Sequence, residues 1–420
     1  MDTVRLDSEI WQTTAPNGVV VCSERVPTVR SAAIGIWVRS ASVHEIRAQM
    51  GVSHLLEHMV FKGTERRTAQ EIALALEIRG GSLDAYTSRD STAFQARVLD
   101  ADLPEALDVL TDLVRHPVLR AADLELERKV ILEEISTVED TPDDLVFDLS
   151  AETLWPKHPY GFSILGTRET VGRLSTADLV ALHARAYHPS NCVIAAAGNL
   201  THERLLALVE AQGWFAGAAA PSGQAPATPP AVPAVRGGER RERKETAQTH
   251  LVFASDTVPF ADRRKYAILV LANILGGGMS SRLFQRVREE LGLAYAVYAY
   301  TSFYRGMGTV GVYVGTQPAS AAHAADAIRS ELGRLAREGL TGTALAEAKQ
   351  QTQGQLMLSL ESPTARMYRL AGGHVFGEAY QSLDATLAQV ASLTERDVAE
   401  AAAEFFDPGR QTLVWLGPNS

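Results

Sequence analysis

The chain has 420 residues, 46% apolar and 21% charged, with a formal net charge of −10. That length is long for one hydrophobic core and predicts two domains of roughly 200 residues, while the acidic balance argues against nucleic acid and, more weakly, against an anionic membrane as the main partner. Cys22 and Cys192 are too few for a disulfide framework and read as reduced core thiols, and with neither a run of about 18 apolar residues nor a basic-then-apolar start, no membrane span or secretory signal is expected and the cytoplasm is the expected compartment.

The first chemical signal comes early. Val52, Leu55, Leu56, Met59 and Val60 have helical spacing, and His54-Leu55-Leu56-Glu57-His58 lies among them. A helical run from Thr68 to Arg79 follows and ends at Gly80 and Gly81; Thr68 and Glu71 have capping-box spacing. Alternating segments near Leu83–Thr87 and Thr92–Leu99, separated by Ser88-Arg89-Asp90, predict a hairpin. A helix near Leu103–Arg115 and a long one near Ala121–Glu139 come next, the latter ended before Pro142.

An Ala/Pro-rich stretch, residues 216 to 237, reads as an extended linker. It predicts a domain at 1–215, a linker at 216–244 and a second domain at 245–420. The second half repeats the order of the first. Helical runs cover Arg263–Leu275 and Ser281–Glu290, and alternating segments lie near Ala294–Phe303 and Gly308–Val314 around Arg305 and Gly306. Helices near Ala319–Glu338 and Ala344–Leu360 follow, the last stopping before Pro363. EDTP at 139–142 and ESP at 361–363 occupy matching places, which reads as a duplication. Strands mixed with segregated helices predict an α+β fold of two homologous sandwiches, each a mixed sheet with helices on one face.

On a helix, His54 and His58 are one turn apart and project from the same side, where two imidazoles can bind one zinc ion. Glu57 shares that side and can reach a metal-bound water. A catalytic zinc takes three protein ligands and leaves one position open, so a third ligand must come from elsewhere. The helix Ala121–Glu139 offers Glu127 and Glu134, two turns apart on one face, partly alongside Leu124, Val130, Ile131 and Ile135. A carboxylate beside an apolar stripe is costly to bury without a partner. A solvated helix face is the plainer explanation for Glu125 and Glu133. Periodicity does not choose between Glu127 and Glu134.

These segments resemble the pitrilysin-type (inverzincin) zinc metallopeptidases, family M16, and within them the short-chain bacterial relatives of the mitochondrial processing peptidase β subunit. The resemblance rests on GVSHLLEHMVFKGT (51–64), GGSLDAYTSRDSTAFQARVL (80–99), ERKVILEEISTVEDTPDD (127–144), HPYGFSILGT (158–167) and GGGMSSRLFQRVREELGLAY (276–295). It implies one zinc ion per chain on His54, His58 and Glu134, with Glu57 as general base and Glu127 supporting the site. It further implies that Arg288 and Tyr295, from the second domain, hold the substrate carbonyl or the developing oxyanion. A clamshell of two domains enclosing a peptide chamber, a homodimer, and endopeptidase action on unfolded peptides or targeting-type segments are also implied. An extended peptide would add to the strand Leu83, Asp84, Ala85, Tyr86, Thr87 and Ser88 by main-chain hydrogen bonds. Asp84 departs from the resemblance, since such relatives often carry Asn there. Gly276-Gly277-Gly278 lacks the Lys-Ser/Thr of a phosphate-binding loop. Gln355 stands near the place of Glu134 in the second half, which has no HxxEH and is expected to hold no metal. The competing expectation is a noncatalytic assembly subunit of the same fold.

Overall fold

The computed structural model describes residues 1–217 and 237–418. The first half opens on β1 (Asp2–Asp7), β2 (Ile10–Thr14), β3 (Val20–Arg25) and β4 (Ser31–Val38). Helices α1 (Val52–Val60) and α2 (Ala69–Glu77) precede the hairpin of β5 (Ser82–Thr87) and β6 (Thr92–Leu99). Then come α3 (Leu103–Arg115), α4 (Ala121–Asp140), α5 (Pro142–Leu154), α6 (Arg168–Arg173), α7 (Thr176–Ala186), β7 (Cys192–Gly198) and α8 (His202–Ala211). The second half begins with β8 (Gly238–Arg243), β9 (Thr249–Thr257), α9 (Lys265–Gly276) and a π-helix (Phe284–Glu290). It continues through β10 (Ala294–Phe303), β11 (Gly308–Thr316), α10 (Ala321–Glu338) and α11 (Gly342–Leu358). It ends with α12 (Pro363–Phe376), α13 (Leu383–Ser392), α14 (Glu395–Phe405) and β12 (Thr412–Gly417).

Two sheets result, ordered β1-β2-β3-β7-β4-β6-β5 and β10-β11-β9-β12-β8. The run β3-β7-β4-β6-β5 of the first matches β8-β12-β9-β11-β10 of the second, strand for strand. In each run one pair is parallel, β3 with β7 and β8 with β12, and the other pairs are antiparallel. Shared order and shared polarity match the repeat that the sequence suggests.

The chain forms two compact units that are not its two sequential halves. Ser359–Ser382 belongs with the first unit and Ser136–Phe162 with the second. So α12 joins the first sheet and α5 the second. The physical reason lies in the central strands, which are apolar on both sides: every residue of β7 is buried, and such strands need cover on both faces. On one face of the first sheet, Ile34, Ile36, Phe94 and Ile194 pack with Leu55 of α1, Leu107 of α3 and Leu182 of α7. On the other, Ala33, Trp37, Val193 and Ala195 pack with Met367, Leu370, Ala371 and Val375 of α12, spaced as one helical face. In the second unit Phe147 of α5 lies 5.3 Å from Tyr300 and 5.6 Å from Tyr313. Each sheet therefore carries helices on both faces, where the sequence pattern predicts one. The second cover comes from the opposite half of the chain, so no local periodicity announces it.

The helices α4 and α11 end before Pro142 and Pro363 as expected, and each proline then begins a further helix, in the first-turn position that tolerates a missing N–H. Two further expectations need correction. The linker expected at 216–244 ends in β8, the edge strand beside β12. Its run of Glu and Arg residues suits a solvated edge, and Arg241 lies over Trp415 at 4.2 Å. Residues 218–236 of that linker lie outside the described residues. The helix expected at 281–290 winds largely as a π-helix.

Candidate metal site

The entry to α1 is built before its histidines are used. Gly51 has φ +88 and Gly166 has φ +79, and a side chain on either would strike the backbone of the other's segment. The Leu165-Gly166 turn thus packs directly on the start of the helix. The buried carboxylate of Glu45 accepts from the Gly51 and Ser53 amides at 2.8 Å each, satisfying donors that a helix N-terminus leaves open. Burial pushes this carboxyl up to about 7, against the pull of its hydrogen bonds. Leu55, Leu56, Met59 and Val60 sink into the core, which leaves His54 and His58 on the opposite, partly open side.

The two rings lie 4.6 Å apart between centroids. Glu134 on α4 faces both: its Oε1 is 3.6 Å from His58 Nε2 and its Oε2 is 3.8 Å from His54 Nε2. Ligand atoms of His54, His58 and Glu134 all fall within 4.8 Å of one another, and this is the one such group of metal-binding side chains among the described residues. Tetrahedral zinc with bonds near 2.1 Å places neighbouring ligand atoms about 3.3 Å apart, so the three groups fit a zinc ion after small side-chain adjustments. Burial, then the neighbouring His58, lowers the His54 pKa to about 4. The ring is neutral near pH 7, as a metal ligand must be, and its approach to Glu134 is not an ion pair.

Glu127 resolves the ambiguity left by periodicity. Its buried carboxylate accepts from His58 Nδ1 at 3.1 Å and meets Lys62 Nζ at 2.7 Å. It therefore stands behind the histidine while Glu134 stands in front. Leu124, Ile131 and Ile135 are buried as expected, but Val130 is 44% exposed and forms no part of the apolar stripe. Among the described residues His54 has no counterpart to Glu127; its Nδ1 is buried and meets no hydrogen-bond partner there. Glu57 is nearly buried, which raises its pKa, and its Oε2 accepts from Thr87 Oγ1 at 2.6 Å.

Strand β5 is the edge of the first sheet, and its residues divide by face. Leu83 and Ala85 pack toward the main core; Ser82 and Asp84 are exposed. Tyr86 accepts from Trp37 Nε1 at 3.2 Å and lies 6.1 Å from Tyr368 of α12. Ser88, counted in the substrate strand but also read as the first turn residue, falls in the turn, where its hydroxyl donates to Ser91 O at 2.8 Å and closes the hairpin. Arg288 and Tyr295 come together within the second unit. The guanidinium sits 4.5 Å from the Tyr295 ring and 4.6 Å from Phe284, and Nη1 donates to Tyr295 O at 3.2 Å. The Tyr295 side chain is 78% exposed. Sequence reasoning missed Glu45, Lys62 and the side chain of Thr87 as parts of the site. Lys62 alone left a trace, one helical turn beyond His58.

A repeated α+β sheet unit thus brings an HxxEH helix to face a glutamate of a later helix, a group that can hold a metal ion. The description "Insulinase (Peptidase family M16)" matches residues 20–168, and "Peptidase M16 inactive domain" matches residues 173–352. The chain belongs to family M16. It is 38% identical to an uncharacterized zinc protease of Streptomyces coelicolor, over 97% of this chain and 90% of that protein. It is 37% identical to an uncharacterized zinc protease of Bacillus subtilis, over 94% and 95% of the two chains. A protease from Helicobacter pylori shares the fold, with a TM-score of 0.91 at 21% identity over 97% of this chain and 99% of that one. No helix among the described residues is long and apolar enough to cross a membrane.

Proposed function

We propose that this chain is a zinc-dependent endopeptidase acting on unfolded or targeting-type peptides. The observation that carries the reading is the convergence of His54, His58 and Glu134 on one point, with Glu57 beside it. Zinc held by these three residues would supply a Lewis acid that activates water and polarises a peptide carbonyl. Glu57 takes the proton of the attacking water and hands it to the leaving amine. Glu127, braced by Lys62, fixes the orientation of His58. Arg288 and Tyr295 hold the substrate carbonyl, and the free edge of β5 takes an extended backbone whatever its side chains. The working form in this reading is a cytoplasmic homodimer with one zinc per chain.

The alternative, a noncatalytic assembly subunit, draws on the "inactive domain" match of the second half. The intact constellation in the first half favours catalysis. The test is cleavage of a peptide library by fractions from gel filtration, with and without a chelator. Zinc-dependent cleavage that coelutes with a dimer supports the reading. Zinc-loaded protein that leaves every peptide intact would sink it.

A further inference from the structure

We infer that Thr87 is a positioning residue for the base, holding the Glu57 carboxylate in its working orientation through the Thr87 hydroxyl. This rests on the reading of Glu57 as base. Thr87 Oγ1 donates to Glu57 Oε2 at 2.6 Å, a length typical of a charge-assisted hydrogen bond. The other neighbour of that hydroxyl is Thr92 Oγ1, at 3.5 Å. A carboxylate only accepts, so the Thr87 proton lies in the shorter contact, to Glu57. The Thr87 hydroxyl thereby holds one carboxylate oxygen, and the Thr87 main chain adds a hydrogen bond to the same carboxylate.

The frame around Thr87 is stiff. Thr87 and Thr92 form the last pair of the β5–β6 ladder. Beyond them Ser88 N donates to Ser91 O at 2.9 Å, and Ser91 N donates to Ser88 Oγ at 3.2 Å. Val43 N donates to Arg89 O at 2.9 Å and ties the turn to the segment before α1. A β-branched side chain on such a strand has little χ1 freedom. The hydroxyl is therefore presented from a fixed point, whereas the glutamate is a longer side chain on a different element. Strand β5 thus does two tasks in this site: its main chain offers an edge to the peptide, and its last side chain sets the base.

Three variants test this against one another: Thr87→Val, Thr87→Ser and Glu57→Gln. Valine keeps the shape and strand preference of threonine and removes only the hydroxyl. The expected result for Thr87→Val is a fall in kcat of about ten- to hundredfold. KM should stay within about twofold and zinc content should be unchanged, while Thr87→Ser recovers most of the loss. Wild-type kcat in Thr87→Val, or a Thr87→Ser enzyme as slow as Thr87→Val, overturns the inference. So does a fall in zinc content that matches the fall in rate. If Glu57→Gln also cleaves at the wild-type rate, the reading of Glu57 has failed and Thr87 falls with it. If Glu57→Gln is inactive and Thr87→Val is normal, only the positioning role is lost.

Discussion

At the scale of single residues, the site is asymmetric between its two histidines. His58 has Glu127 and Lys62 behind it; the buried Nδ1 of His54 meets no partner among the described residues. A ligand ring whose far nitrogen is hydrogen-bonded has its tautomer and tilt fixed in advance, and losing such a partner costs about 10- to 100-fold in metal affinity. Glu127→Gln should therefore weaken zinc binding by about that factor, read by competition with a chromophoric chelator. Glu134→Gln should weaken it further, because a ligand itself is lost. Equal zinc affinity in wild type and Glu127→Gln would show that the carboxylate only fills space. Glu57→Gln should retain zinc and lower kcat by about 10²- to 10⁴-fold, the usual worth of a general base. At this scale the HxxEH spacing was legible because it is local. Periodicity did not choose between Glu127 and Glu134, since both share one face of α4; the family resemblance alone proposed a role for each. Only the depth at which each side chain meets the histidines separates them.

At the scale of elements, the HxxEH helix α1 depends on a cap outside it. Glu45 closes the Gly51 and Ser53 amides, and loss of a helix cap costs about 0.5–2 kcal/mol. Glu45→Ala should lower the urea midpoint of the metal-free protein accordingly. The cap also brings a pH dependence. Its carboxyl lies near 7 in the folded chain against an ordinary value of 4.5. A carboxyl raised by folding favours the folded state fully below the unfolded value, and that contribution is lost as pH rises through about 7. Between pH 5 and 8 the metal-free wild type should lose stability through this group, by at most roughly 3 kcal/mol. Glu45→Gln, which does not ionise, should show a flatter profile of urea midpoint against pH. Parallel profiles for the two proteins would mean that Glu45 does not titrate in this range. Among the elements, the Thr68–Glu71 capping box and the β5–β6 hairpin were legible, because caps and turns are written in adjacent residues. Pro142 and Pro363 marked the ends of α4 and α11 but not the helices that each begins, since a proline that ends one helix equally well begins the next.

At the scale of the whole molecule, the exchange of α5 and α12 ties the stability of each unit to the other half of the chain. Strand order in each half follows from its own sequence; cover for the second face of each sheet does not. Leu370, nearly inaccessible on α12, is packed against the first sheet. Its replacement by Ala should cost about 2–5 kcal/mol, although it lies more than 300 residues from α1 in sequence. The same logic makes a stronger claim for fragments. Residues 1–217 contain every proposed zinc ligand, but without α12 they leave Ala33, Trp37, Val193 and Ala195 uncovered. Such an apolar face should bind a hydrophobic dye and aggregate. Expressed with residues 237–420, the same fragment should recover a cooperative melt and bind zinc, because the second fragment returns α12 and receives α5. A fragment 1–217 that melts cooperatively alone, without binding dye, would show that the borrowed helix is ornamental and that the first half folds by itself.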